Sequence, residues 1–325
     1  MTKPKVFAAH SLFEPARKIL VESCELDLWT KRERPPREEL LKRVKDKDGL
    51  ICLLTEKVND ELLQAAPKLR IAANVAVGFD NIDVPACTRR GVVATHTPGV
   101  LDETTADFAW TLMMAVARRL GEGEALARSG NWKGWDLDQL VGTDVWGKTL
   151  GIVGFGRIGR AMARRASGFE MKVIYTDAVR ASQEVERELR AEFREMNALL
   201  AESDFISVHV PLLPETRRLF DAARLDQMKP TAFLINTSRG PVVDEAALVE
   251  ALEKGKIAGA ALDVFENEPR IHPGLKRPNV VLAPHLASAS LETRTKMACM
   301  AAENVVALFQ GRRPANALNP EVLKG

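Results

Sequence analysis

The six residues Gly154-Phe155-Gly156-Arg157-Ile158-Gly159 constrain this chain more than any other stretch. They follow an apolar, strand-like run at 150–153 and open a stretch of helical spacing at 158–168. A G-x-G-x-x-G pattern at a strand-to-helix turn has a specific physical use. Gly154 permits the tight turn, Gly156 lets the backbone approach a pyrophosphate, and Gly159 lets the helix pack closely on the strand. The helix N-terminus then turns its amide donors and partial positive charge toward the phosphates. Such a site expects an acidic residue at the end of the next strand, about 20 residues on. Asp177 stands there, after the run at 172–176 and 21 residues beyond Gly156. A carboxylate at that place accepts hydrogen bonds from ribose hydroxyls and repels a 2′-phosphate, so NAD is the expected cofactor, with NADP possible. Arg180, a little further on, is either a phosphate partner or a solvated surface charge.

The rest of the chain repeats the strand–helix alternation. Strands are expected at 5–9, 49–54, 71–75 and 91–95, with helices at 15–21 and 59–66, which points to a parallel sheet. A long helix is expected over 103–129, capped by Asp102 or Thr104, followed by an exposed loop rich in Gly, Asp and Trp at 130–148. A second series places strands at 150–153, 172–176, 205–210, 232–236, 260–264 and 279–283. Helices are expected at 158–168, 196–202, 245–254 and 291–309, and together these form a doubly wound nucleotide-binding pattern. The charge run 184–195 reads as an exposed face.

The 325 residues suffice for about two domains. A formal net charge of +2 without a long basic block gives nucleic acid no electrostatic footprint. The N-terminus lacks the apolar core of a signal peptide, and no apolar window reaches the roughly 18 residues that a membrane span needs. Cys24, Cys52, Cys87 and Cys299 are far apart and show no metal spacing, which fits reduced thiols in a cytoplasm and no bound metal.

Hydride transfer requires a clamp for the substrate carboxylate and carbonyl, and an acid/base that moves one proton. Arg239, Glu268 and His285 each follow a late strand, at the carboxyl edge where open α/β sheets bind ligands. His10, His96, His209 and His272 lack such context and read as structural or solvated.

The stretches VAVGFDNID, GIVGFGRIG, HVPLLPET, INTSRGPVVDE, ALDVFENEP and PHLAS together resemble the D-isomer-specific 2-hydroxyacid dehydrogenase family over essentially the full length. The C-terminal RRPANALNPEV is most similar to its glyoxylate/hydroxypyruvate reductase branch. The resemblance implies two Rossmann-like, doubly wound parallel-sheet α/β domains. The cofactor domain, 97–290, would be inserted into a discontinuous flavodoxin-like substrate domain, 1–96 plus 291–325, with a hinge that closes over substrate. It implies that Arg239 binds substrate, that His285 protonates the carbonyl oxygen, and that Glu268 orients this imidazole and raises its pKa. Val75, Ala76, Val77 and Gly78 would offer backbone amides to the substrate carboxylate. Arg157, Ile158, Val210, Pro211, Thr216, Thr237, Ser238, Asp263, His285 and Ala287 would line the cofactor, and Thr104 would touch it. The family implies a homodimer, in which Trp132 or Trp135 could reach the partner's site.

The expected reaction is reduction of a small 2-keto acid, glyoxylate or hydroxypyruvate, to the D-2-hydroxy acid, and the reverse. A 2-ketogluconate or phosphoglycerate type is the alternative. The family's formate dehydrogenases carry Gln where this chain has Glu268, and its phosphite dehydrogenases carry Lys where it has Val77. A reading of another class, a corepressor-like protein that senses NAD, expects partner recruitment through a long disordered tail, which nothing in this sequence resembles.

Overall fold

The computed structural model describes residues 2–324, which form two compact units. One runs to Leu101 and resumes at Ala289; the other spans Asp102–Ser288. Residues 97–101, expected with the cofactor domain, go with the first unit, where the Thr97 amide donates to the Ala76 carbonyl at 2.9 Å.

The first unit begins β1 (Lys5–Ala8), α1 (Glu14–Ser23), β2 (Glu25–Leu28), α2 (Arg37–Arg43), β3 (Gly49–Cys52), α3 (Asp60–Ala65), β4 (Ile71–Asn74), α4 (Val84–Arg89) and β5 (Val93–Thr95). Its five strands are parallel in the order β2-β1-β3-β4-β5. The central strands are apolar on both faces because both faces are covered: Phe7 joins one core, while Val6 and Ala8 join the other. Short polar side chains start the helices, as Asn59 does by accepting from the Leu62 amide and Asp83 from the Ala86 amide.

The second unit holds α5 (Asp102–Ala117), α6 (Leu120–Ser129), β6 (Thr149–Val153), α7 (Arg157–Ala166), β7 (Lys172–Thr176), α8 (Gln183–Leu189), β8 (Ala191–Phe193), α9 (Met196–Glu202), β9 (Phe205–Val208), α10 (Ala222–Leu225), β10 (Phe233–Asn236), α11 (Glu245–Glu253), β11 (Gly259–Leu262) and β12 (Val280–Leu282). Its seven strands are parallel in the order β12-β11-β10-β9-β6-β7-β8. The order reverses between β6 and β9, so a crevice opens at their carboxyl ends, where doubly wound sheets take their ligands. The chain then returns through α12 (Leu291–Phe309), whose Ala298, Ala301 and Ala302 let it lie close on Ala16 and Leu20 of α1 and on Ile71 and Ala73 of β4. Beyond it, Asn319 accepts from the Ala94 amide and donates to the Val92 carbonyl, fastening the tail to β5. Among the described residues no helix is long and apolar enough to cross a membrane.

The single helix expected over 103–129 is two. Arg119 lies in the left-handed region at φ 52°, and the Thr143 amide takes the Ala117 carbonyl at 2.8 Å, so the returning loop ends α5. A Cβ on Gly142 would stand 2.5 Å from that carbonyl oxygen, whereas one on Gly121 in α6 would meet nothing within 4 Å. Gly142→Ala is therefore expected to destabilise the protein by about 1–3 kcal/mol. Gly121→Ala should be neutral or stabilising by up to about 1 kcal/mol. Urea unfolding of both variants checks this, and equal midpoints would show that the 142–143 contact does not terminate the helix.

Candidate active site

The glycine turn closes the crevice between β6 and β9. Gly154 has φ +96°, and a Cβ there would lie 2.7–2.8 Å from the backbone of His209 and Val210, the residues that follow β9. Gly159 is pressed against the turn itself, since its Cβ would meet the Gly154 oxygen at 2.1 Å. Around Gly156 the corresponding space is open, and Gly156 precedes α7 without a side-chain cap. The turn therefore offers a bare helix end beside backbone that a phosphate can approach. Asp177 accepts from the Phe155 amide at 2.5 Å and from the Val179 amide at 3.2 Å, which ties the glycine turn to the end of β7. Arg157 opens α7 and pairs with Asp102 at 3.2 Å, with Ile158 half-buried behind it.

The loops after β10, β11 and β12 are locked to one another. Asn236, at the end of β10, accepts from the Ser238 amide and hydroxyl at 3.0 and 2.9 Å and donates to the Arg239 carbonyl at 3.0 Å. Gly240 packs so tightly that a Cβ would lie 1.9 Å from the Phe265 carbonyl carbon. Asp263 is fully buried and accepts from the Leu286 and Ala287 amides at 2.6 and 2.8 Å. Its own carbonyl takes the His285 amide at 2.8 Å. This carboxylate thereby sustains the left-handed backbone of His285, φ 56°.

His285 Nδ1 lies 3.0 Å from Glu268 Oε2, and the other Glu268 oxygen accepts from the Phe265 amide at 3.0 Å. Burial alone would raise the Glu268 carboxyl, but the His285 hydrogen bond and charge, the Phe265 amide and the Arg239 charge outweigh it and lower its pKa. Asp263 shifts the other way, raised first by burial. Thr237 is buried, and its hydroxyl has no hydrogen-bond partner among the described residues. An unpartnered buried hydroxyl beside Arg239 and the open ground at Gly156 both fit a bound dinucleotide. Of the other expected contacts, Val210 and Pro211 come after His209, just past the end of β9. Thr216 donates back to the Pro211 carbonyl at 2.6 Å, and Thr104 sits half-buried in the first turn of α5.

In the first unit the loop after β4 is held by its carbonyls. Ala76 accepts from the Thr97 amide, Val77 from His96 Nδ1 at 2.8 Å, and Gly78 from Asn74 Nδ2 at 3.0 Å. One expectation needs correction. The Val75 amide donates to the Cys52 carbonyl at 2.8 Å, continuing the β3–β4 ladder, so it is not offered to a ligand.

A family model described as "D-isomer specific 2-hydroxyacid dehydrogenase, NAD binding domain" matches residues 110–287. The chain belongs to the D-isomer specific 2-hydroxyacid dehydrogenases. It is 52% identical over 325 residues to a glyoxylate reductase of Korarchaeum cryptofilum, covering 99% of this chain and 98% of that one. It is 51% identical over 326 residues to a glyoxylate reductase of Thermococcus litoralis, again covering 99% and 98%. The crystal structure of an NADPH-dependent glyoxylate/hydroxypyruvate reductase from Sinorhizobium meliloti, in complex with NADP and malonate, superposes with a TM-score of 0.87 at 33% identity over 98% of each chain.

Reading the motifs alone missed the residues that hold this dehydrogenase's loops. Asn236 and Glu245 are buried, and Glu245 accepts from the Glu266 amide at 2.6 Å, steadying the segment that carries Glu268. The first was legible as an Asn at a strand end before Thr-Ser, a turn-forming pattern; the second has no sequence signal beyond its place in the motif. His96 is not merely solvated, since it fixes the Val77 carbonyl. His209 binds Ser207 at 2.8 Å, and burial pushes its imidazole down to about 4.

Charge coupling between Glu268 and His285 is reciprocal. Replacing the carboxylate by the neutral amide in Glu268→Gln should move the alkaline limb of the kcat profile for reduction to lower pH. Initial rates across pH 5–9 read this directly, and a superposable profile would show that the pair does not act in proton transfer.

Proposed function

We propose that this dehydrogenase reduces glyoxylate and hydroxypyruvate to the corresponding 2-hydroxy acids with a reduced nicotinamide dinucleotide, and catalyses the reverse reaction. The observation that carries this reading is the His285–Glu268 pair at 3.0 Å, in loops braced against the one that bears Arg239, all in a unit with a dinucleotide turn. When bound, the dinucleotide supplies or accepts the hydride. His285, with Nδ1 turned to Glu268, presents Nε2 and gives a proton to the carbonyl oxygen during reduction, taking it back in the reverse direction. Glu268 fixes that tautomer and stabilises the imidazolium. Arg239 grips the substrate carboxylate and carbonyl oxygen through its planar guanidinium, while the amides of Ala76, Val77 and Gly78 receive the carboxylate. Thr237 contributes its unpartnered hydroxyl near the nicotinamide, with Asp263, Ser238 and Ala287 shaping that end. Arg157, Ile158, Val210, Pro211 and Thr216 line the pyrophosphate side, with Thr104 in contact, and Asp177 receives the ribose hydroxyls.

The working form is a homodimer. Support comes from the segment 130–148, where Trp132, Trp135, Leu137, Val141 and Trp146 lie close in sequence at 57–83% exposure, as apolar side chains of an interaction surface do. The four cysteines are free, three of them buried, which supports a reducing, cytoplasmic setting.

Initial rates with glyoxylate, hydroxypyruvate, pyruvate and 2-ketogluconate, each with NADH and with NADPH, test the proposal. The first two substrates should be fastest. His285→Ala should lose about 100-fold or more in kcat while still binding dinucleotide in a fluorescence titration. Fastest turnover of 2-ketogluconate would replace the substrate assignment, and near-normal kcat in the variant would remove His285 as proton donor.

A further inference from the structure

The end of β7 carries a second charged arrangement that the reaction does not use. Arg180 makes a two-pronged ion pair with Glu186 of α8, Nε to Oε1 at 2.8 Å and Nη2 to Oε2 at 3.0 Å. The Tyr175 hydroxyl donates to the same Glu186 oxygen at 2.7 Å and accepts from the Ala181 amide at 3.0 Å. Tyr175 is fully buried, stacked on Phe155 of the glycine turn with ring centroids 3.9 Å apart. The turn, the segment after Asp177 and α8 are thus joined through one phenol and one carboxylate. Arg180 and Tyr175 together hold the Glu186 carboxyl down at about 2, so it is an anion at any working pH.

We propose that Glu186 sets the coenzyme preference of this enzyme by withholding Arg180 from the adenosine 2′-position. This rests on the reading of the site as a nicotinamide dinucleotide site. A 2′-phosphate brings close to two negative charges, and in this fold an arginine near the strand-end acid is what accommodates it. Arg180 stands three residues beyond Asp177 and its side chain is 61% exposed; the Glu186 fork and the Phe193 ring, whose centroid lies 5.5 Å from the guanidinium carbon, hold it in place. The fork occupies the Nε–Nη2 edge of the guanidinium, a two-pronged edge that a phosphate would also use. Glu186 also neutralises the Arg180 guanidinium, so a 2′-phosphate arriving there meets a cation that is already paired. The space beside the fork is a cavity of about 480 Å³ whose wall includes Arg187 and Arg190 as well as Arg180. Freed, Arg180 has room to turn toward an anion, with Arg187 and Arg190 beside it and Glu192 on the same wall.

The test is Glu186→Gln, which retains an oxygen for the Tyr175 hydroxyl and removes the charge. The NADPH/NADH ratio of kcat/KM should rise on the order of tenfold, the effect of one charge-assisted hydrogen bond gained. Adenosine 2′,5′-bisphosphate should bind more tightly relative to 5′-AMP by a similar factor, measured by calorimetry on the full-length enzyme. The double variant Glu186→Gln/Arg180→Ala should lose both gains. An unmoved ratio, or gains that persist in the double variant, would overturn the proposal, as would Arg180→Ala alone weakening NADPH use. If no keto acid reacts with either coenzyme, the functional reading fails. The bisphosphate titration still decides the role of Glu186.

Discussion

The buried carboxylate of Asp263 is the interaction on which the catalytic edge depends. An ionised group without exposure needs every oxygen occupied, and here the Leu286 and Ala287 amides occupy them. Those two amides can converge only if the chain turns sharply at His285, which adopts a left-handed backbone that a non-glycine residue seldom takes. The strain is therefore maintained by the desolvated charge, and its product is an imidazole aimed back at Glu268. Neighbouring loops stiffen the same edge: Gly240 against Phe265, Glu245 under Glu266, and Asn236 inside its own turn. An imidazole held this way, in the proton-donor role proposed for it, requires little reorganisation at the moment of reaction.

The dinucleotide edge uses a different device. Where strand order reverses between β6 and β9, backbone must pass against backbone, and Gly154 is what allows His209 and Val210 to come so near. Asp177 then links the turn to β7 through the Phe155 amide, and Tyr175 stacks beneath on the Phe155 ring. The same carboxylate proposed to meet the ribose thus also shapes the turn proposed to meet the pyrophosphate. Disturbing Asp177 alters both functions together.

Elements with strong apolar periodicity and clear ends were legible from sequence. The expected bounds of β7, α9 and α12 match those observed, because each combines an apolar stripe with an abrupt polar boundary. What escaped notice lacks one of these. β2 is an edge strand with no fully buried residue. α8 overlaps the charge run and has no fully buried residue; Val185 and Leu189 only half-pack on the core, so Ser182, which caps it, and the Glu186 contacts help define it. The break between α5 and α6 comes from Thr143, 26 residues downstream, reaching Ala117, a distant contact that local periodicity does not contain. Arg239, Glu268 and His285 could be named from position at strand ends; the residues that aim them could not, since their signal lies in hydrogen bonds made after folding.

Four carboxylates show how surroundings divide one chemistry into separate tasks. Asp263 and Glu245 are raised, burial first, and both serve as acceptors for backbone amides that shape loops. Glu268 resists the same burial because a histidine, an amide and an arginine surround it, so it remains an anion able to support a positive charge on its neighbour. Glu186, gripped by a guanidinium and a phenol, is an anion at every working pH. A group that must respond to protonation cannot be so strongly committed. Of the four, Glu268 is the one placed between commitment and burial, and it is the one in contact with the imidazole proposed to move the proton.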